Sequence, residues 1–193
     1  VLLRALPYRE PDRLVQVGSG PMANALVERL AARRDLFASV AGVSWSTDVS
    51  AVVGGAPQRT PAAGVTGNLF ATLGVGALVG RPLGPEDARP DALPVAVIGE
   101  RFWRERLGGD PAVVGQDVTV DGVRRRIVGV IPARFRLPDA TVALWTPERI
   151  DPEDRAGYWW MWRLQVIARL APGVPAERAS AAARALVMRA GQE

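Results

Sequence analysis

The sequence predicts an α+β fold. Near each end of the chain, a short apolar strand is followed by an amphipathic helix, and the middle carries further strands with its own hairpin signal. The first unit joins residues 14–17 to a helical pattern over 22–38, and the second joins residues 164–170 to a helix near Pro175. We expect the middle to be inserted into a lobe that the last strand and helix complete.

The first third of the chain predicts the order β-α-β-β-α. Apolar residues recur at helical spacing within residues 22–38, and alternation with a period of two predicts strands within 39–53. A Gly-Gly-Ala-Pro turn at 54–57 precedes a return strand over 59–66. A short helix follows at 68–73. The stripe of the first helix is Ala23, Leu26, Val27, Leu30 and Ala31. Asn68 is expected to cap the second helix.

The middle of the chain predicts a strand at residues 93–98 and an amphipathic helix at 100–107. Two strands, 118–120 and 126–131, flank the Asp-Gly pair at 121–122, which is a strong hairpin signal. A further short strand is expected at residues 142–145. We expect the large rings of Trp103 and Trp145 to anchor the core.

Missing residue types restrict the chemistry of this chain. It has no His and no Cys, and all 24 of its basic residues are Arg. These absences exclude His-based triads, zinc sites built from His or Cys, Walker A loops and Schiff-base lysines. The acidic residues lie in turns or beside Arg, and no pair is marked as acid and base. We therefore expect no enzyme, no catalytic residue, no cofactor and no metal site.

The charge pattern does not single out a nucleic-acid surface. A net charge of +4 and a pI near 10.8 would permit binding to a phosphate backbone. However, the 20 acidic residues are interspersed among the arginines, without long blocks of one sign. The longest basic run, Arg124-Arg125-Arg126, is expected to form a solvated face of a strand or turn.

The sequence contains no apolar stretch of the ~20 residues that a membrane-spanning helix needs. It begins with Val1 and not with Met, and we expect it to be a segment of a longer protein.

The densest aromatic cluster is the Tyr-Trp-Trp-Met-Trp run at residues 158–162. Aromatic rings that carry a polar group suit interfaces, so one interpretation is a partner-facing patch formed by Tyr158, Trp159 and Met161. The other interpretation is simple strand alternation, with Trp160 and Trp162 in the core and the intervening side chains on the opposite face.

Several motifs, taken in order, resemble the periplasmic core domain of MacB/FtsX-type ABC permeases, in the branch with duplicated permeases. Each motif is weak alone, but their order along nearly the whole chain is specific. They are Asn68-Leu69-Phe70, Val95-Ala96-Val97-Ile98 with Phe102-Trp103, Gly108-Gly109-Asp110-Pro111, Asp121-Gly122, Gly129-Val130-Ile131-Pro132 with Phe135, and Ala168-Arg169-Leu170-Ala171-Pro172-Gly173.

The resemblance implies a periplasmic or extracytoplasmic domain of an inner-membrane protein. It implies a porter-like lobe formed by residues 1–74 and 141–193, and an inserted second, mixed α/β lobe at 75–140. The implied role is to couple membrane-helix motion to efflux or envelope-related transport. The implied partners are a second permease half or protomer, a cytoplasmic ABC ATPase reached through the full-length protein, and a periplasmic adaptor.

Two alternatives remain open from the residues themselves. The chain would also suit a free-standing soluble module that binds a ligand or a protein. A nucleic-acid-binding domain is less favoured because its arginines do not cluster in the sequence.

Overall fold

The computed structural model describes residues 8–149 and 164–190, in which strands dominate over helices. The strands are β1 (Leu14–Met22), β2 (Phe37–Ser44), β3 (Thr47–Val52), β4 (Gln58–Val65), β5 (Val79–Gly80), β6 (Val95–Gly99), β7 (Asp117–Val120), β8 (Val123–Ile131), β9 (Leu144–Pro147) and β10 (Leu164–Leu170). The α-helices are α1 (Asn24–Ala31), α2 (Leu69–Leu73), α3 (Glu100–Leu107) and α4 (Ala176–Ala190). The mixed α and β content confirms the predicted α+β class.

Six strands close into a ring. They pair in the order β4-β3-β7-β8-β6-β9, and β9 then pairs in parallel with β4, with Ala62 opposite Leu144. Small side chains such as Ala51, Ala62 and Ala96 pack inside this ring with branched ones, because alternate residues of each strand point inward. Trp103 of α3 belongs to the same cluster.

The remaining strands extend the sheet beyond β4 in the order β2, β10, β1. Helices α1 and α4 contact each other and pack on this part of the sheet, and their apolar side chains form one cluster with those of β1, β2 and β10. Helix α2 contacts β2 and β10. The apolar side chains of α2 belong to a second cluster, to which β2 and β10 also contribute. Strands β2 and β10 therefore carry apolar side chains on both faces.

An aromatic core lies between these two parts of the sheet. The ring of Phe135 lies 5.0 Å from that of Phe70, 5.1 Å from that of Trp145 and 6.1 Å from that of Tyr8. Trp145 is 2 % exposed, and its Nε1 donates to the carbonyl of Leu137 at 2.8 Å. Both Trp145 and Trp103 are buried, which confirms the expectation that they anchor the core.

The predicted helix over residues 22–38 is too long. Helix α1 ends at Ala31, and β2 begins at Phe37. In the turn between them, Arg33 donates two hydrogen bonds to the carboxylate of Asp35. Strand β2 pairs with β10 along its whole length, so tertiary pairing overrides the helical spacing. Strand β1 is longer than predicted, since it continues past Val17 to Met22 with an irregularity in register.

Asn68 occupies the N-cap position of α2, but its side chain makes no capping hydrogen bond. Its Nδ2 instead donates to the carbonyl of Val40 at 2.7 Å, and its Oδ1 accepts from the Thr66 hydroxyl at 2.9 Å. The predicted local cap is therefore wrong, and this amide ties the start of α2 to β2.

The division into lobes at residues 74 and 141 stays a prediction. Strand β9 falls in the C-terminal part of the predicted porter-like lobe, yet it pairs with both β6 of the predicted inserted lobe and β4.

Candidate interaction surface

The predicted partner-facing residues Tyr158, Trp159 and Met161 lie outside the described residues, as do Trp160 and Trp162. The described residues on either side of them are Arg149 and Leu164. Leu164 lies in β10, opposite Ser44 at the end of β2.

These flanks lie at one end of the ring of strands. At this end β4 and β9 finish, with Val65 opposite Pro147, and β6 and β8 begin, with Val95 opposite Arg126. Strand β3 also begins here, because it runs antiparallel to β4. We call this end, with the residues that precede or follow its strands, the upper end of the ring.

Three large apolar side chains are exposed at the upper end. Trp45, between β2 and β3, is 53 % exposed, and Leu93, just before β6, is 80 % exposed. Val123, the first residue of β8, is 43 % exposed. These side chains give the upper end exposed apolar surface, which interaction sites use where it is contiguous.

Arg125 lies on the inner face of the ring at this end. It pairs with Val118 of β7 and precedes Ile127 by two residues, and both of these side chains belong to the core inside the ring. The Arg125 side chain is half-buried, and its Nε is buried with no hydrogen-bond acceptor among the residues that the structure describes. Burial and the nearby Arg149 cation lower the pKa of Arg125.

Arg149 follows β9, and its guanidinium holds the loop that precedes β6. Its Nη1 donates to the carbonyl of Pro90 at 3.3 Å, and its Nη2 donates to that of Ala92. These bonds fix the segment that presents Leu93. Each uses a backbone carbonyl, so the positive charge of Arg149 is not neutralised by them.

The other two arginines of the run behave as expected from the sequence. Arg124 and Arg126 are exposed, and both pair with Asp117 on β7, Arg126 through a 3.6 Å contact. These cations lower the pKa of Asp117, with the hydrogen bond from Arg124 as the largest cause. The expectation of one solvated face is wrong for Arg125 alone, because strand alternation turns it inward.

A buried carboxylate lies close to the upper end. Glu148, directly after β9, is 9 % exposed, and its backbone N–H donates to the carbonyl of Val65 at 2.7 Å. A Cβ on Gly64 would lie 2.3 Å from Oε2 of Glu148. Glycine at position 64 therefore leaves room for this side chain.

The opposite end of the ring holds a cavity of about 60 Å³ between α3 and the segment after β8. Known small-molecule pockets are larger, at roughly 300–1,000 Å³. At its rim, Oε2 of Glu100 accepts from the Ala133 N–H at 3.0 Å, which with a bond from Arg104 lowers the pKa of Glu100. Within residues 8–149 and 164–190, no group of three acidic side chains is arranged to hold a metal ion.

No helix among the described residues is long and apolar enough to cross a bilayer. Residues 3–186 match the family described as MacB-like periplasmic core domain. The chain belongs to this family. Comparison with curated protein sequences finds no match.

Solved structures share the fold of this MacB-like domain. The periplasmic region of MacB from Actinobacillus actinomycetemcomitans is 17% identical, with a TM-score of 0.70 over 92% of this chain and 83% of that one. A domain of a putative permease from Porphyromonas gingivalis is 18% identical, with a TM-score of 0.69 over 94% and 86%. The extracellular domain of the transporter YknZ from Gram-positive bacteria is 12% identical, with a TM-score of 0.61 over 92% and 93%.

The family match confirms the resemblance seen in the sequence motifs. This MacB-like chain is a periplasmic domain of the kind carried by ABC permeases of the inner membrane, and the family is a transporter family and not a known enzyme family. Sequence reasoning missed Arg125 as a candidate site residue. The spacing of two residues puts Arg125 and Ile127 on one face of a strand, but the pairing of β8 with β7 decides that this face points inward.

Proposed function

We propose that this domain couples motion of the permease's membrane helices to efflux or envelope-related transport, through contacts with partner domains and substrate. The partners in this proposal are a second permease half or protomer, the cytoplasmic ABC ATPase acting through the full-length protein, and a periplasmic adaptor. The observation that carries the proposal is the way in which Arg169 fastens the segment before β1 to the sheet.

Arg169 lies in β10, and its side chain is only 12 % exposed. Its Nη2 donates to the carbonyl of Arg9 at 2.6 Å and to that of Thr72 at 2.8 Å, and its Nη1 contacts Oε2 of Glu10 at 3.2 Å. A single guanidinium thus joins the entering chain, the end of α2 and the strand between β1 and β2.

A second arginine strengthens the same connection. Nη2 of Arg13 donates to the carbonyl of Leu170 at 2.7 Å, and its Nε donates to the same oxygen at 3.3 Å. Helix α4 packs on β1, so the last described helix adjoins the entering strand. A displacement of the flanking chain would move β1, β10 and α4 together, since packed elements transmit displacement with little compression.

The test uses the full-length permease with its ATPase in nanodiscs. The domain has no cysteine, so Leu93→Cys provides a single labelling site in this segment for a fluorophore that senses its surroundings. We expect the emission to differ between ATP-bound and nucleotide-free complexes. Arg101→Cys, exposed on α3 at the other end of the ring, is the matched control for a local probe artefact.

A second variant tests the connection itself. Arg169→Gln should reduce transport while ATP hydrolysis continues, because the entering segment loses its bonds to β10. An ATP-independent signal at both labels in a complex that hydrolyses ATP would contradict the coupling role.

A further inference from the structure

We infer that Arg125 and Arg149 at the upper end of the ring form a docking site for a carboxylate of an acidic protein segment, with Leu93 and Trp45 of the same end as its apolar contacts. The inference rests on the proposed function, because it names the chemistry of one partner contact that the coupling role requires.

The first argument is the unsatisfied state of Arg125. A buried polar group without a partner is costly, and nearly all such groups in proteins are satisfied. Its Nε is buried and has no acceptor among residues 8–149 and 164–190. A guanidinium carries five N–H donors in a fixed fork that matches the two oxygens of a carboxylate. A ligand oxyanion would supply the missing acceptor.

The second argument is the proximity of Arg149. Among the described residues, its acceptors are the carbonyls of Pro90 and Ala92, bound by Nη1 and Nη2. A guanidinium has five N–H donors, so these two bonds do not use all of them. Two guanidinium groups that repel each other at a half-buried site provide an attractive environment for an anion. The nearby carboxylate of Asp117 is already engaged by Arg124 and Arg126, so among the described acids it does not serve this pair.

The third argument selects a protein segment over a membrane or nucleic acid. Lipid headgroups are recognised by clusters of about four to eight basic residues, and duplexes by several phosphate contacts. Here the pair is Arg125 and Arg149, since Arg124 and Arg126 are engaged by Asp117. Leu93, on the loop that Arg149 holds, is 80 % exposed, and Trp45 at the same end of the ring is 53 % exposed. Trp and Arg with an apolar neighbour match the composition of protein–protein contact centres.

The experiment follows the Arg Nε–Hε resonances of the ¹⁵N-labelled chain while a blocked acidic peptide, acetyl-Glu-Leu-Glu-Glu-amide, is added. Arg125→Gln assigns the resonance and serves as the test variant. Arg124→Gln is the matched control, because it removes one positive charge from the adjacent residue on the outer face. We expect a saturable shift at Arg125. We also expect the Kd to rise at least about tenfold in Arg125→Gln, about 1.4 kcal/mol, and little in Arg124→Gln.

Several outcomes would overturn the inference. If Arg125→Gln and Arg124→Gln weaken peptide binding equally, the attraction is unspecific. If the neutral peptide acetyl-Gln-Leu-Gln-Gln-amide binds with the same affinity, the site does not recognise a carboxylate. Equal affinity for inorganic phosphate alone would reveal a general oxyanion site. Asp151, Glu153 and Asp154 follow Arg149 in the sequence. If replacing them by the corresponding amides shifts the Arg125 resonance in the absence of peptide, the chain itself fills the site.

Failure of this inference and failure of the proposed function give different results. If the peptide does not bind but the label emission still depends on ATP, only the docking site is contradicted. If the peptide binds but the label emission does not change with ATP, only the coupling role is contradicted.

Discussion

Arg81 holds the buried carboxylate of Asp87 through two parallel hydrogen bonds, from Nη1 to Oδ2 at 2.6 Å and from Nη2 to Oδ1 at 2.7 Å. The N–H of Gly84 donates to the same Oδ2 at 2.8 Å. Burial alone would raise the pKa of Asp87, but these bonds outweigh it and leave the pKa lowered. The pair fixes the connection between β5 and β6.

Asp87→Asn should therefore destabilise the domain in a pH-dependent way. A carboxyl whose pKa is lower in the folded state stabilises above its unfolded pKa, about 3.9, and this contribution is lost as pH falls through the folded value. We expect a loss of about 1–2 kcal/mol at pH 7, moderated because Arg81 is half-exposed, and a smaller difference below about pH 4.

Urea denaturation of both proteins at pH 7 and pH 3 measures the effect. The control is Asp91→Asn, since Asp91 is exposed and contacts Arg89 at 3.6 Å, and its change should stay within about 0.5 kcal/mol. A difference for Asp87→Asn that is the same at both pH values would contradict the argument.

Gly129→Ala should destabilise through a backbone collision. Gly129 pairs with Gly80, and a Cβ on it would lie 2.1 Å from the carbonyl oxygen of Arg81. Backbone atoms cannot rotate away, so β5 must separate from β8, and a loss of about 1–3 kcal/mol follows. Gly76→Ala is the control because a Cβ there meets nothing within 4 Å. Thermal melts compare the two, and equal Tm values would refute the packing argument.

Trp145→Phe should lower the free energy of unfolding by more than the loss of buried apolar area alone would. The substitution removes the bond from Nε1 and leaves the carbonyl of Leu137 without that donor, so we expect a loss of about 1–3 kcal/mol. Trp45→Phe changes an exposed ring and should stay within about 0.5 kcal/mol. Guanidinium denaturation followed by circular dichroism measures both, and similar midpoints would argue against a structural role for the indole N–H.

Asn68→Ala and Asn68→Asp separate the two bonds of this amide. Alanine removes both, whereas aspartate keeps the acceptor for Thr66 and loses the donor to Val40. We expect about 1–2 kcal/mol of destabilisation for alanine. Aspartate should cost at least as much at pH 7, because it places a negative charge beside a carbonyl oxygen. Chemical denaturation measures both, and an aspartate variant as stable as the native chain would rule out the bond to Val40.

Local patterns predicted the elements that are governed by local rules. The hairpin at Asp121-Gly122, the strand predicted at residues 93–98 and the helix ended by Gly108 depend on turn chemistry and periodicity. The structure contains all three, but the strand begins at Val95, so Leu93 lies outside it and is exposed. The boundary near Phe37 was missed because pairing with β10, more than a hundred residues later, decides it. Closure of the ring by β4 and β9 has no local signal at all.

The candidate site was less accessible to sequence reasoning. Composition drew attention to Tyr158, Trp159 and Met161, whose role as a partner-facing patch stays a prediction. The inward position of Arg125 required the register of β8 against β7, and the proximity of Arg149 required β9 to lie beside β6. Such neighbours come from the topology and not from spacing along the chain.

The position of β10 between β1 and β2 constrains how the polypeptide acquires its structure during synthesis and export. Until residues 164–170 arrive, the facing edges of β1 and β2 have no partner and are open to pairing with other chains. Strands β1 and β2 are made early but pair with a strand that is made late. This long separation in sequence raises the contact order and slows folding. A protein with this arrangement gains from a holding chaperone that covers these edges, since stalled or truncated chains expose them permanently.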